Sequence, residues 1–225
     1  GSDYDSSAGN GNLTLLSGAG ITLQDSSIDT TATLNLGNGA FIATGDVTLA
    51  ADLVCITANG GITFNNRINA DDATTNDHIL TLNAGITSTV AVTGNIGDVE
   101  PLAGLTLTQS NGATFSGSVD VNDTTAGTIT LTDTVDGQTI AFIGDTTADI
   151  LTTAAQGYNL SLTGGTNTFT DLVTFQNTGS LTLGDNATDT FTFDGGVTEV
   201  TTGAVILAAA ISSSDDAISF GDVTL

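Results

Sequence analysis

The chain has 225 residues, of which 25 are acidic and one is Lys or Arg, for a formal net charge of −24. Arg67 is the only permanently cationic side chain, which excludes binding to nucleic acid, where Lys and Arg must neutralise phosphates, and disfavours an anionic membrane surface. Hydrophobic residues still make up 39% of the chain and charged ones only 12%, so it is apolar enough to fold around a core.

Strong helix formers are scarce: there are two Glu (Glu100 and Glu199) and no Lys or Met. Thr, Val, Ile, Gly, Asn and Asp dominate, a vocabulary of strands and turns. In chain order, one pattern recurs: a Gly, Asp or Asn turn followed by an apolar-Thr (or Ser)-apolar triplet. Its copies are Leu13-Thr14-Leu15, Ile21-Thr22-Leu23, Val47-Thr48-Leu49, Ile62-Thr63-Phe64, Leu80-Thr81-Leu82 and Leu105-Thr106-Leu107 in the first half. Ile129-Thr130-Leu131, Leu160-Ser161-Leu162, Leu181-Thr182-Leu183, Phe191-Thr192-Phe193, Ile218-Ser219-Phe220 and Val223-Thr224-Leu225 follow. Period-two alternation predicts strands with one buried face.

Strands of three to five residues are short for a sandwich or an up-and-down barrel, but they suit a solenoid. Leu80, Leu105 and Ile129 are 25 and 24 residues apart, and Leu160, Leu181 and Val205 are 21 and 24 apart. This spacing fits one coil of two or three strands, with the 31-residue step from Ile129 to Leu160 read as a coil carrying an inserted loop. The expected fold is therefore an all-β parallel β-helix of roughly ten irregular coils over residues 1–225, about 45–50 Å long at ~4.8 Å per coil. Inward Leu, Val, Ile and Phe should stack in columns. Asn59-Gly60-Gly61, Gly164-Gly165 and Gly195-Gly196 should supply positive φ at corners, and Pro101 falls in the loop Asp98-Val99-Glu100-Pro101, outside the strands. The longest apolar stretch, Val205 to Ile211, is too short to span a membrane. Neither end reads as a polar cap, so the expectation is either a piece of a longer protein or a subunit whose coils stack head to tail on another copy.

On these repeats, with Gly11-Asn12-Leu13-Thr14-Leu15, Thr44-Gly45-Asp46-Val47-Thr48-Leu49 and the segment from Asp216 to Leu225 as the clearest carriers, the chain resembles filamentous haemagglutinin-like exoproteins and autotransporter passenger domains of bacteria. The resemblance implies a right-handed parallel β-helix, export to the cell surface or the extracellular space, and a structural or adhesive role, with host or matrix glycans among the expected partners.

A β-helix also serves as a scaffold for polysaccharide lyases and glycosidases, which need a strong base or a pair of tuned carboxylates. Only Arg67 and His78 are basic; Asp71-Asp72 and Asp215-Asp216 sit in turn-like stretches, and His78 beside Asp77 reads as a polar loop residue. Cys55, within Leu53-Val54-Cys55-Ile56, reads as a small buried hydrophobe. No catalytic, cofactor-binding or metal residues are assigned, and the chain is read as a non-enzyme. Calcium is the better chemical alternative, with oxygen ligands from Asp71, Asp72 and Asp77, from Asp120, Asn122 and Asp123, or from Asp215 and Asp216, although none matches an EF-hand or a calcium-binding nonapeptide. Thr128-Ile129-Thr130, Thr130-Leu131-Thr132 and Thr190-Phe191-Thr192 raise an ice-binding alternative. It needs threonines in register on consecutive coils, and the irregular spacing speaks against that. Asn-x-Ser/Thr occurs at Asn12, Asn122, Asn159 and Asn186 and is read as incidental in a Thr-rich chain.

Overall fold

The computed structural model describes residues 4–5, 13–15, 21–23, 31–71, 78–122, 126–200 and 203–225. Among them every regular element is a β-strand, most of them three to five residues long. The strands wind around a three-sided coil. Asp52–Ile56 lies on a first face, Ile62–Phe64 on a second and Ile68–Ala70 on a third, and Ile79–Asn83 returns to the first face to pair with Asp52–Ile56. The first and second faces are parallel sheets of ten strands each. The third consists of a three-stranded and a five-stranded sheet, linked by the isolated parallel bridges Ile68↔Ile96 and Ile96↔Val119. The chain is thus a parallel β-solenoid, as the alternation predicted, with three strands per coil.

The alternation places side chains directly. In triplets such as Phe41–Ala43, Ile62–Phe64 and Leu181–Leu183 the outer residues are buried and the middle one is half-buried on the surface. In-register pairing then stacks like positions: Leu53, Leu80, Leu105, Ile129 and Leu151 form one inward column of the first face. One hydrophobic cluster runs from Leu36 to Val205, each fully buried Leu or Phe contributing roughly 1.5–3 kcal/mol. Phenylalanines on neighbouring coils meet as partial ladders, with Phe115 stacked on Phe142 at 4.7 Å and Phe169 on Phe193 at 5.4 Å. Cys55 is fully buried in the first-face wall, as expected, and desolvation pushes its thiol up to about 12. The few polar groups inside are mostly bonded: Ser110 and Thr134 share a hydrogen bond across coils at 2.7 Å, and the Tyr158 hydroxyl donates to the Leu131 carbonyl while accepting from the Ala154 N–H.

Two readings of the sequence are corrected. Ile129 pairs with Leu151, 22 residues on, whereas Leu160 lies on the second face over Ile140. The 31-residue step is therefore one coil plus a change of face, and no inserted loop is needed. Among the glycine corners, only Gly196 has positive φ, at 88°. Gly60, Gly164 and Gly195 are required for a different reason: a Cβ there would lie 2.0, 2.4 and 2.6 Å from the backbone of the preceding coil. Successive coils touch at these corners, and only a residue without a side chain fits between them.

Candidate functional site

The first face carries the longest regular surface feature. The outward middle positions of its strands hold Thr81, Thr106, Thr130, Thr152, Thr174 and Thr198, each paired in register with the next, and Ser219 continues the column. Six consecutive coils therefore present one threonine each, at the inter-strand spacing of ~4.8 Å. The Thr-x-Thr elements are not stacked on the first face, where Thr128 pairs with Gly104 and Ile150, but a single threonine column is in register despite the uneven coil lengths. Coils differ in length because their corners differ, while strand pairing resets the register on every turn. Thr152 and Thr198 lack the motif's second apolar residue, Thr153 and Glu199 standing in its place, whereas Val173-Thr174-Phe175 carries the full apolar-Thr-apolar signal.

Among the described residues, none of these six hydroxyls has a partner within the protein. Elsewhere hydroxyls are used internally: Thr153 Oγ1 donates to the Thr174 carbonyl and accepts from the Gln176 N–H, and Thr170 Oγ1 donates to Asp149. The β-branched threonine side chain is restricted at χ1, and in-register pairing brings one methyl and one hydroxyl to each rung of the column. At Gly104 the face is interrupted by a hollow of about 390 Å³ between Ile79 and Thr128, also bordered by Thr106 and Thr130. The second face has no equivalent column: its outward file reads Thr63, Ala91, Thr114, Ala141, Ser161 and Thr182. On the third face, Thr147, Thr168 and Thr192 stand in register over three coils, with Ser212 continuing the file and Thr166 paired with Thr190.

The residues weighed for catalysis and calcium are dispersed. His78 lies outside the strands, as a loop residue would, but it is buried, 7% exposed, with its Nε2 3.0 Å from Asp71 Oδ1. It leads the strand Ile79–Asn83, where its carbonyl accepts the Ala103 N–H of the next coil. Arg67 pairs with Asp98 at 3.6 Å on the other side of the molecule's third face. Each of the two basic side chains is thus matched to one aspartate. Asp120 accepts the Asn122 N–H, and its burial raises the carboxyl above its ordinary value. Asp215 adopts a φ of 86°, and the Asp216 carbonyl accepts from the Ser213 hydroxyl. Asp72, Asp77, Asp123 and Asn12 lie outside the described residues. Among the described residues no three His, Cys, Asp or Glu side chains converge on a common point.

No family model, curated sequence or solved structure matches the chain.

Proposed function

We propose that the chain is a non-catalytic structural or adhesive segment of a secreted bacterial surface protein, a stiff β-solenoid that projects a polar, regularly spaced surface. The observation that carries this reading is the parallel stacking of ten strands on each of two faces, around one hydrophobic cluster that runs from Leu36 to Val205. Such a scaffold resists bending and local opening because every coil is bonded to the coils on both sides. Its outward hydroxyl rows suit neutral glycans of a host or matrix, which hydrogen-bond without needing positive charge. The −24 net charge keeps it away from anionic partners and from nonspecific association. The test applies the purified chain to immobilised polysaccharides. Retention without new reducing ends or unsaturated sugar products supports the reading, and progressive release of either would make the protein an enzyme.

The threonine column favours a second reading, in which the first face orders water and binds ice. Hydroxyls and methyls at a constant repeat match a periodic solid better than a soluble molecule. Inhibition of ice recrystallisation that disappears in Thr130→Lys supports this reading, and an inactive wild type removes it.

A further inference from the structure

The four Asn-x-Ser/Thr tripeptides are equivalent as sequence, and the structure separates the two it describes in full. Asn159-Leu160-Ser161 lies within the strand Asn159–Leu162. Its side chain is committed at both ends: Nδ2 donates to the Gly137 carbonyl at 2.8 Å, and Oδ1 accepts from the Ser180 N–H and hydroxyl. Leu160 and the Asn159 backbone are held in the second-face ladder. Asn186-Ala187-Thr188 is the opposite case. All three residues are exposed, on the turn between the strands Leu181–Leu183 and Thr190–Phe193. Asn186 Oδ1 accepts from both the N–H and the hydroxyl of Thr188 at 3.1 Å. Its Nδ2, the atom that would attack a sugar, has no partner among the described residues. The turn is also preformed: buried Asp189 accepts the N–H groups of Asp185 and Asn186 at 2.9 and 3.0 Å.

We propose that Asn186 is an acceptor for N-linked glycosylation in the folded protein. The Thr188 hydroxyl donates to the amide oxygen and draws density from the amide, so an Nδ2 proton is more readily surrendered to a transferase base. Nδ2 then bonds to the anomeric carbon of an activated sugar as the bond from that carbon to the donor's phosphate oxygen breaks. The nucleoside or lipid pyrophosphate leaves with the electron pair, and the proton ends on the enzyme's base. Asn159 would first have to give up its bonds to Gly137 and Ser180 and leave the ladder. The inference concerns acceptor chemistry and stands independently of the structural or ice-binding readings.

The test treats the folded 225-residue chain, carrying Asn12→Gln and Asn122→Gln, with a soluble transferase that modifies Asn-x-Ser/Thr and with UDP-glucose, and maps hexose by peptide mass spectrometry. The expected result is at least tenfold faster modification at Asn186 than at Asn159, abolished by Thr188→Ala and retained in Thr188→Ser. Heat-unfolding the same chain should bring the two sites to within about threefold of each other. Equal rates at both sites in the folded chain, no modification of folded Asn186 while the unfolded chain reacts there, or full activity of Thr188→Ala would each overturn the proposal.

Discussion

Gly164 and Gly165 are adjacent, and the close approach of coils makes opposite demands on them. A Cβ on Gly164 would lie 2.4 Å from the Gly144 carbonyl oxygen and 2.7 Å from the Asp145 Cα, whereas one on Gly165 would meet only Asp145 Oδ1, at 3.7 Å. To reach an ordinary contact near 3.4 Å, Gly164→Ala must push the two coils about 1.0 Å apart at this corner. The nearest inter-coil bonds are Thr163 N–H to the Phe142 carbonyl at 2.8 Å and Thr166 N–H to Asp145 Oδ1 at 3.0 Å. The same displacement would stretch both beyond hydrogen-bonding range. Two lost bonds at about 1 kcal/mol each, with some of the strain relieved by relaxation, place the cost at about 2–4 kcal/mol, within and slightly above the usual range for overpacking. Neither glycine has positive φ, so Gly165→Ala should be neutral or stabilise by up to about 1 kcal/mol through the unfolded chain. Thermal unfolding followed by circular dichroism separates the two, since 1 kcal/mol moves the Tm of a chain this size by about 2–4 °C. A drop of about 5–12 °C is expected for Gly164→Ala and little change for Gly165→Ala. If the two variants melted together, or Gly165→Ala melted lower, contact between coils would not be what fixes glycine at this corner.

Phe142→Ala, which removes one ring of the 4.7 Å stack with Phe115, should lose about 3–5 kcal/mol, measured by urea denaturation, and Phe142→Leu markedly less. Tyr158→Phe removes the hydroxyl's two bonds, but the Ala154 N–H keeps its direct 3.0 Å bond to the Leu131 carbonyl, so the loss should be about 0.5–1.5 kcal/mol in the same assay. Cys55 gives a pH dependence of defined sign. Its folded thiol is raised from 9.0 to about 12, so its contribution is fully present below pH 9 and is lost as pH rises toward 12, when only the unfolded thiol ionises, at about 1.4 kcal/mol per pH unit. Between pH 9 and 11 the wild type should therefore lose about 2 kcal/mol more stability than Cys55→Ala, and parallel declines would show that the thiol is not the cause.

The strands were legible because period-two alternation is local: Leu13-Thr14-Leu15 through Val223-Thr224-Leu225 could be marked as strands by which residues want burial and which do not. The same property hid the phase of the coil. Triplets on all three faces obey one rule, so Leu160 could be taken for the successor of Ile129 although Leu151 occupies that place. Strands without a central threonine, such as Val90–Val92 and Ile68–Ala70, were invisible to a search keyed on one. The burial of Cys55 was readable from its apolar neighbours, whereas that of His78 was not, because the aspartate it bonds to is seven residues away in sequence.

What the sequence determined alone was the class of structure: short alternating strands, frequent turn residues and one-sided hydrophobicity admit a β-solenoid and little else. The threonine column, the division of Gly164 from Gly165 and the contrast between Asn159 and Asn186 were decided by the tertiary structure. Each depends on which residue of one coil lies over which residue of the next. That register is set by backbone hydrogen bonds between strands 18 to 30 residues apart, and variable corners absorb the difference in length, so counting residues along the chain does not reveal it.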